Sequence, residues 1–233
     1  MVAVKNSVLL VTGGRRGLGA ALVDEALARG ARKVYSTARA PFDDPRSGVV
    51  TAQVEVGSSE SVAAFAELAS DAQIVFNNAG IMSPTPLLTG DLAEIETMFD
   101  INALGTLRVA RAFAPTLAAN GGGALVDMHS VLSWLPGSGG YGVSKAAAWS
   151  ITNSLRAELA QQNTLVVGVH AGFIDTDMVS ALPIPKATPA QIARQILDGV
   201  ESDQIEVLTD DLTARAKAAL SGPVDQFPFA FSA

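Results

Sequence analysis

Thr12-Gly13-Gly14-Arg15-Arg16-Gly17-Leu18-Gly19 is the stretch on which the fold turns. It follows directly on an apolar run at 8–11 and opens a segment, 18–29, in which Leu18, Leu22 and Ala26 recur four apart before Gly30 gives a stop signal. The first unit of the chain therefore reads strand, glycine turn, helix. Glycines permit a tight turn and let backbone approach a ligand with no Cβ in the way. The amides of the helix behind them then face an anion. From Gly13 the spacing is G-x-x-x-G-x-G, and at a first strand-to-helix crossover it points to a cradle for a dinucleotide pyrophosphate. No Lys-Ser/Thr pair follows the glycines, which excludes a mononucleotide P-loop and kinase or ATPase chemistry.

The same alternation continues outward. Strand-like runs are expected at 33–37, 50–54, 74–76, 124–128, 165–169 and 205–208, several of them continuously apolar, as in parallel strands covered on both faces. Helical stretches are expected at 59–70, with Val62, Phe65 and Leu68 as its stripe, at 92–118 as one long helix or two pieces, at 146–161, and at 189–200 behind Thr188 and Pro189. Gly121–Gly123 and Pro136–Gly140 read as loops within the domain. The fold class is α/β: a single Rossmann-type, doubly wound domain over 1–233, with about seven parallel strands and helices on both faces.

Composition narrows the function. Among 233 residues there is no cysteine, so thiolate chemistry and a disulfide framework are excluded, and two histidines leave no His-rich metal centre. A net charge of −7 disfavours nucleic acid and anionic membrane as partners. No apolar run approaches the roughly 18 residues of a membrane span, and the opening MVAVKNSVLL runs straight into the glycine loop without the pattern of a signal peptide. The expected setting is cytoplasmic.

The end of the second strand, Tyr35-Ser36-Thr37-Ala38-Arg39, distinguishes between dinucleotides. An acid there would hold the adenosine 2′-hydroxyl of NAD. Ala38 stands in its place and Arg39 follows, able to pair with a 2′-phosphate. With Arg15 and Arg16 nearby, NADP(H) is the preferred cofactor, NAD(H) the alternative.

A second pattern, Tyr141-Gly142-Val143-Ser144-Lys145, puts a tyrosine and a lysine one helical turn apart. The lysine charge favours tyrosinate and brings the phenol within reach of neutral-pH proton transfer. Ser130, at the end of the fifth strand run, is placed to bond a substrate oxygen, and Asn102 is a polar residue at an unfavourable mid-helix position.

Taken together, these motifs resemble the short-chain dehydrogenase/reductase family. The glycine loop, an Asn77–Gly80 Asn-Asn-Ala-Gly element, Asn102, Ser130, Tyr141 with Lys145, and the run from Ala171 to Thr176 occur in the family's order over about residues 7–210. The resemblance implies an NADPH-dependent carbonyl reductase-like enzyme. Tyr141 would exchange a proton with the substrate oxygen, Ser130 would orient that oxygen, Lys145 would lower the tyrosine pKa and hold the ribose, and Asn102 would anchor a proton-relaying water. It places cofactor contacts at Gly13, Arg15, Arg16, Gly17, Leu18, Gly19, Arg39, Glu55, Val56, Asn78, Ala79, Gly80, Tyr141, Lys145, Gly172, Ile174 and Thr176, and it requires no metal. Departures from the family pattern are a Ser130–Tyr141 gap of 11 residues, shorter than usual, which leaves Ser133 as an alternative to Ser130; His129 where a small residue is common; and Ala171 in place of proline.

The stretch 176–188 is too short for an elaborate lid and suggests an open pocket for a small uncharged carbonyl or alcohol, walled by Met82, His129, Trp134, Leu135, Met178 and Leu182. A homodimer or homotetramer through the long helices is expected, as is a separate tail at 222–233 bearing Phe227, Phe229 and Phe231. The competing readings are an NAD-dependent alcohol dehydrogenase of the same family and a non-catalytic NADP(H)-binding regulator.

Overall fold

The short apolar runs become β1 (Val8–Val11), β2 (Lys33–Ala38), β3 (Val49–Gln53), β4 (Ile74–Asn77), β5 (Ala124–Met128), β6 (Leu165–His170) and β7 (Glu206–Leu208) in a computed structural model that describes residues 2–223. All pair in parallel in one sheet ordered β3-β2-β1-β4-β5-β6-β7. The helices are α1 (Gly17–Ala28), α2 (Ser59–Leu68), α3 (Leu92–Phe99), α4 (Gly105–Ala119), α5 (Gly139–Glu158), α6 (Pro189–Glu201) and α7 (Asp211–Ala219). This is the doubly wound arrangement the sequence predicts.

Successive side chains on each strand face opposite ways. Leu9 and Val11 of β1, with Val126 of β5, pack against Leu22 of α1 and Ile196 of α6. Val8 and Leu10 pack with Leu125 against Phe65 of α2, Phe113 of α4 and Leu155 of α5. Two cores thus sandwich the sheet, and the continuous apolar runs are explained by burial on both faces. Phe76 and Phe113 are fully buried; truncating either to alanine costs about 3–5 kcal/mol.

The chain winds from β1 to β2 and β3 on one side, then returns to place β4 on the other. That reversal opens a crevice at the carboxyl ends of β1 and β4, where ligands of such sheets bind.

One open alternative is decided and three local expectations change. The 92–118 stretch is the two-piece form, two α-helices joined by a five-residue π-helical turn, Asp100–Leu104. Leu68 is 61% exposed rather than part of the α2 stripe: steps of three residues drift around a 3.6-residue helix, so the inward positions after Val62 are Phe65, Ala66 and, just past the helix end, Ala69. Helix α5 starts at Gly139, inside the stretch read as loop. Helix α7 was not expected; its start signal is Asp210, whose carboxylate accepts from the Thr213 amide at 2.8 Å in a capping box. The phenylalanines of the 222–233 tail lie outside the described residues.

Candidate active site

The glycine loop is held from below. Thr12 Oγ1 accepts from the amides of Asn78 and Ala79, both at 3.0 Å, and Asn78 Nδ2 donates to the Thr12 carbonyl at 2.9 Å. The Asn-Asn-Ala-Gly element after β4 and the loop after β1 are thus one knot across the crevice. Within it Gly19 is obligatory, since a Cβ there would collide with the Gly13 carbonyl oxygen. The first amides of α1 have no intrahelical partner and face the crevice.

The crevice is a cleft of about 1210 Å³. Every residue expected to touch the cofactor, from Gly13 and Arg15 to Gly172, Ile174 and Thr176, lines it, together with Ser130, Tyr141 and Lys145. At the adenosine end Arg15 and Arg39 are exposed. Arg16 instead crosses the mouth to pair with Asp177 at 3.0 Å, and both side chains are largely solvated, so the pair holds the mouth only weakly. Thr176 rests against Gly17, bringing the loop after β6 onto the glycine turn.

Helix α5 presents Tyr141, Ser144, Lys145, Ala148 and Thr152 on one buried face. Its start is close-packed: a Cβ on Gly142 would strike the Ser138 hydroxyl and the Leu132 carbonyl. This close approach, with a 3₁₀ turn at Val131–Ser133, accommodates the short gap between Ser130 and Tyr141. The Ser130 hydroxyl lies beside that of Tyr141, near enough to oppose the rise of its pKa. Ser133 does not line the cleft, so of the two serines the structure brings Ser130 to Tyr141.

The expected depression of the tyrosine pKa is absent. Burial pushes Tyr141 up to about 12, partly opposed by the Ser130 hydrogen bond. Lys145 directs its ammonium to the Met128 carbonyl at 2.8 Å instead. Burial brings that lysine down to about 8, with Asp127 opposing the fall.

Asn102 lies in the π turn, fully buried and outside the cleft lining. Its Oδ1 accepts from the Ile81 amide, and its Nδ2 donates to the Ile81 carbonyl and to Ser144 Oγ, all at 2.9 Å. The residue clamps the loop after β4 to α5. Its carboxamide and the Lys145 ammonium bracket Gly80, whose missing Cβ leaves room for both.

The expected substrate walls divide. Met82, Met178 and His129 line the cleft; Trp134, Leu135 and Leu182 do not. Trp134 and Leu135 are buried in a third apolar cluster with Met98 and Ala216, because the tight turn after Ser130 folds them inward. The His129 ring lies against Gly168 of β6 and 4.9 Å from the His170 ring, itself stacked on Trp134. Among the described residues none of the four ring nitrogens makes a hydrogen bond of normal geometry. Burial drives His129 well below its ordinary pKa and His170 to about 3, so both are neutral. The sequence reading overlooked Leu132, Phe173 and Val179 as cleft walls and missed the buried Asp127. Asp127 carried a signal: an acid inside an otherwise apolar strand.

The family model for short chain dehydrogenases matches residues 7–187. The chain belongs to the short-chain dehydrogenase family. A short chain dehydrogenase from Burkholderia cenocepacia J2315, solved in complex with NADP, superposes with a TM-score of 0.90 at 35% identity over 94% of each chain. The 3alpha-hydroxysteroid dehydrogenase of Mediterraneibacter gnavus is 31% identical over 201 residues, covering 77% of this chain and 78% of that one. The 3-oxoacyl-[acyl-carrier-protein] reductase of Aquifex aeolicus is 31% identical over 196 residues, covering 78% and 79%. The short-chain dehydrogenase assigned here is therefore an oxidoreductase.

Proposed function

We propose that this short-chain dehydrogenase interconverts a small uncharged carbonyl compound and its secondary alcohol with NADP(H), using Tyr141 as acid and base. The observation that carries this reading is the placement of the Ser130–Tyr141 hydroxyl pair in the same cleft as the glycine loop, with Lys145 one turn further along α5.

The cleft suits a dinucleotide. The first amides of α1 and the cradle around Gly19 suit a pyrophosphate, and Arg15 and Arg39, exposed and without an ion pair among the described residues, stand at the end where a 2′-phosphate would sit. The cofactor supplies or accepts a hydride. Tyr141, neutral at physiological pH, donates its hydroxyl proton to the carbonyl oxygen in reduction and recovers it in oxidation. Ser130 fixes the phenol and bonds the same oxygen as charge develops on it. Lys145, near 8, is within range to return a proton to the tyrosine through a ribose hydroxyl or water.

Met82, Leu132, Phe173, Met178 and Val179 give the far end of the cleft an apolar lining. The one basic side chain at its mouth, Arg16, is paired with Asp177. A modest apolar aldehyde or ketone fits this chemistry, and the names of the steroid and acyl-carrier-protein relatives are consistent with carbonyl–alcohol exchange. Exposed Leu92, Phe99, Leu104 and Val143, on α3, the π turn and α5, offer a face for a homodimer or homotetramer.

The test is absorbance of the reduced cofactor with NADPH and with NADH against a panel of small aldehydes, aryl ketones and diketones. Turnover is expected with NADPH, and a preference for NADH would overturn the reading of Arg39. Binding of cofactor without turnover of any carbonyl would favour a regulatory role.

A further inference from the structure

Asp127 and Lys145 are buried charges on one seam. Asp127 lies on β5 with no exposed surface, and its side chain turns toward α5. Its Oδ1 accepts from Asn77 Nδ2 at 2.8 Å, and its Oδ2 accepts from Thr152 Oγ1 at 2.6 Å. Thr152 is seven residues after Lys145, two turns along the same face of α5. The Lys145 ammonium donates to the carbonyl of Met128, the residue next to Asp127. A carboxylate or an ammonium alone in such a place is costly; each offsets the other.

Resting on the proposed function, we propose that Asp127 is the counter-charge that keeps Lys145 protonated beneath the active site, and so is a positioning residue for proton transfer at Tyr141. Asn77 Nδ2 donates to one carboxyl oxygen, and Thr152 Oγ1, which also reaches the Ala148 carbonyl at 3.0 Å, holds the other, so both oxygens are fixed in place beside the lysine's helix. Other titratable groups acting on this seam are His129 on β5, His170 on β6, and Tyr141 and Arg156 on α5. The histidines and the tyrosine are neutral and Arg156 carries the same sign as Lys145. Among these groups of the seam Asp127 is the one acid, and it opposes the fall of the lysine pKa. Burial in turn raises the Asp127 carboxyl, and the lysine charge opposes that rise.

The consequence concerns the pH at which Lys145 gives up its proton. With Lys145 near 8 and Tyr141 near 12, the lysine is the first of the pair to deprotonate, and the anion holds that loss above neutrality. Without the anion the lysine loses its proton at lower pH and no longer supplies one to the tyrosine at neutrality.

The experiment follows Lys145 directly, by the 13Cε resonance of the cofactor-free chain labelled in lysine, in wild type, Asp127→Asn and Asp127→Ser. Both variants are expected to lower the Lys145 midpoint by about one pH unit or more, because charge and not shape is removed. In turnover, Asp127→Asn is expected to move the pH profile of kcat toward acid by a matching amount and to lower its plateau about tenfold, a displacement that merely structural damage does not produce. A Lys145 midpoint unchanged in either folded variant would overturn the proposal. So would a protonated Asp127 carboxyl at neutral pH in the wild-type chain, read from its 13Cγ shift, whether or not the variants fold. Because the titrations need neither cofactor nor substrate, a shifted midpoint in a chain that reduces no carbonyl would refute the proposed function while the Asp127–Lys145 charge coupling stands.

Discussion

The two ends of the cleft are built on opposite principles. At the β1–β2 end the lining is backbone amides, missing Cβ atoms and exposed arginines: Gly19 leaves space, and Arg15 and Arg39 stand in solvent. At the β5–β6 end the polar groups are side chains almost wholly withdrawn from water: Ser130, Tyr141, Lys145 and Asp127. The first end tolerates a mobile anion because solvent screens its charges. The second amplifies each charge because little water reaches it, so proton affinities there depend on single neighbours. Changes at the first end should alter cofactor affinity, and changes at the second should alter the chemistry and its pH dependence.

The sharpest division comes from Tyr141→Phe. Removing one hydroxyl is expected to lower kcat for carbonyl reduction about a thousandfold with NADPH affinity nearly unchanged. Fluorescence titration of NADPH beside steady-state rates checks this, and equal losses in both would erase the distinction between the two ends. Gly19→Ala is the converse. The added Cβ must push the loop off the Gly13 carbonyl, and NADPH is expected to bind about a hundredfold more weakly, while the near-ultraviolet signal of the tryptophans around His170 stays native.

The buried histidines test how dry the second end is. Their folded pKa values lie below the ordinary value of 6.5, so the unfolded chain takes up protons that the folded chain refuses. Their stabilising contribution is fully present above the unfolded pKa and is lost as pH falls through the window from 6.5 toward the folded value, about 3 for His170. For His170 this amounts to about 2 kcal/mol of stability lost between neutrality and pH 5, and His129 adds to it in the same direction. His170→Phe, which keeps a ring on Trp134, is expected to roughly halve the fall attributable to the pair in urea midpoints measured over that range. A slope identical to wild type would mean that His170 is hydrated. The smallest effect belongs to the exposed end. Arg39→Gln is expected to raise the KM for NADPH about tenfold and leave that for NADH unaltered, with the difference shrinking in high salt.

Much of this was legible in the chain because it is local. A glycine turn between an apolar run and a helical pattern needs no tertiary information, and the seven strand runs lie within a residue of those observed. Tyr141 and Lys145 are one turn apart in any helix containing both. Legibility failed where a side chain could turn either of two ways. Trp134 and Leu135 follow Ser130 closely enough to seem like pocket walls, yet the 3₁₀ turn at Val131–Ser133 points them into the core. His129 adjoins Ser130 in sequence and lines the cleft as expected, but its ring also packs on Gly168 and His170.

The sequence by itself determined the parallel α/β architecture, the place of the dinucleotide cradle and the residues able to exchange a proton, because short-range periodicity and backbone freedom dictate all three. Tertiary structure alone decided the protonation behaviour: that Tyr141 is raised to about 12, that Lys145 leans on the Met128 carbonyl, and that Asp127, 18 residues before that lysine, lies on the same buried seam. A proton affinity is set by burial and by the nearest charge, and neither exists until β5 and α5 have packed together.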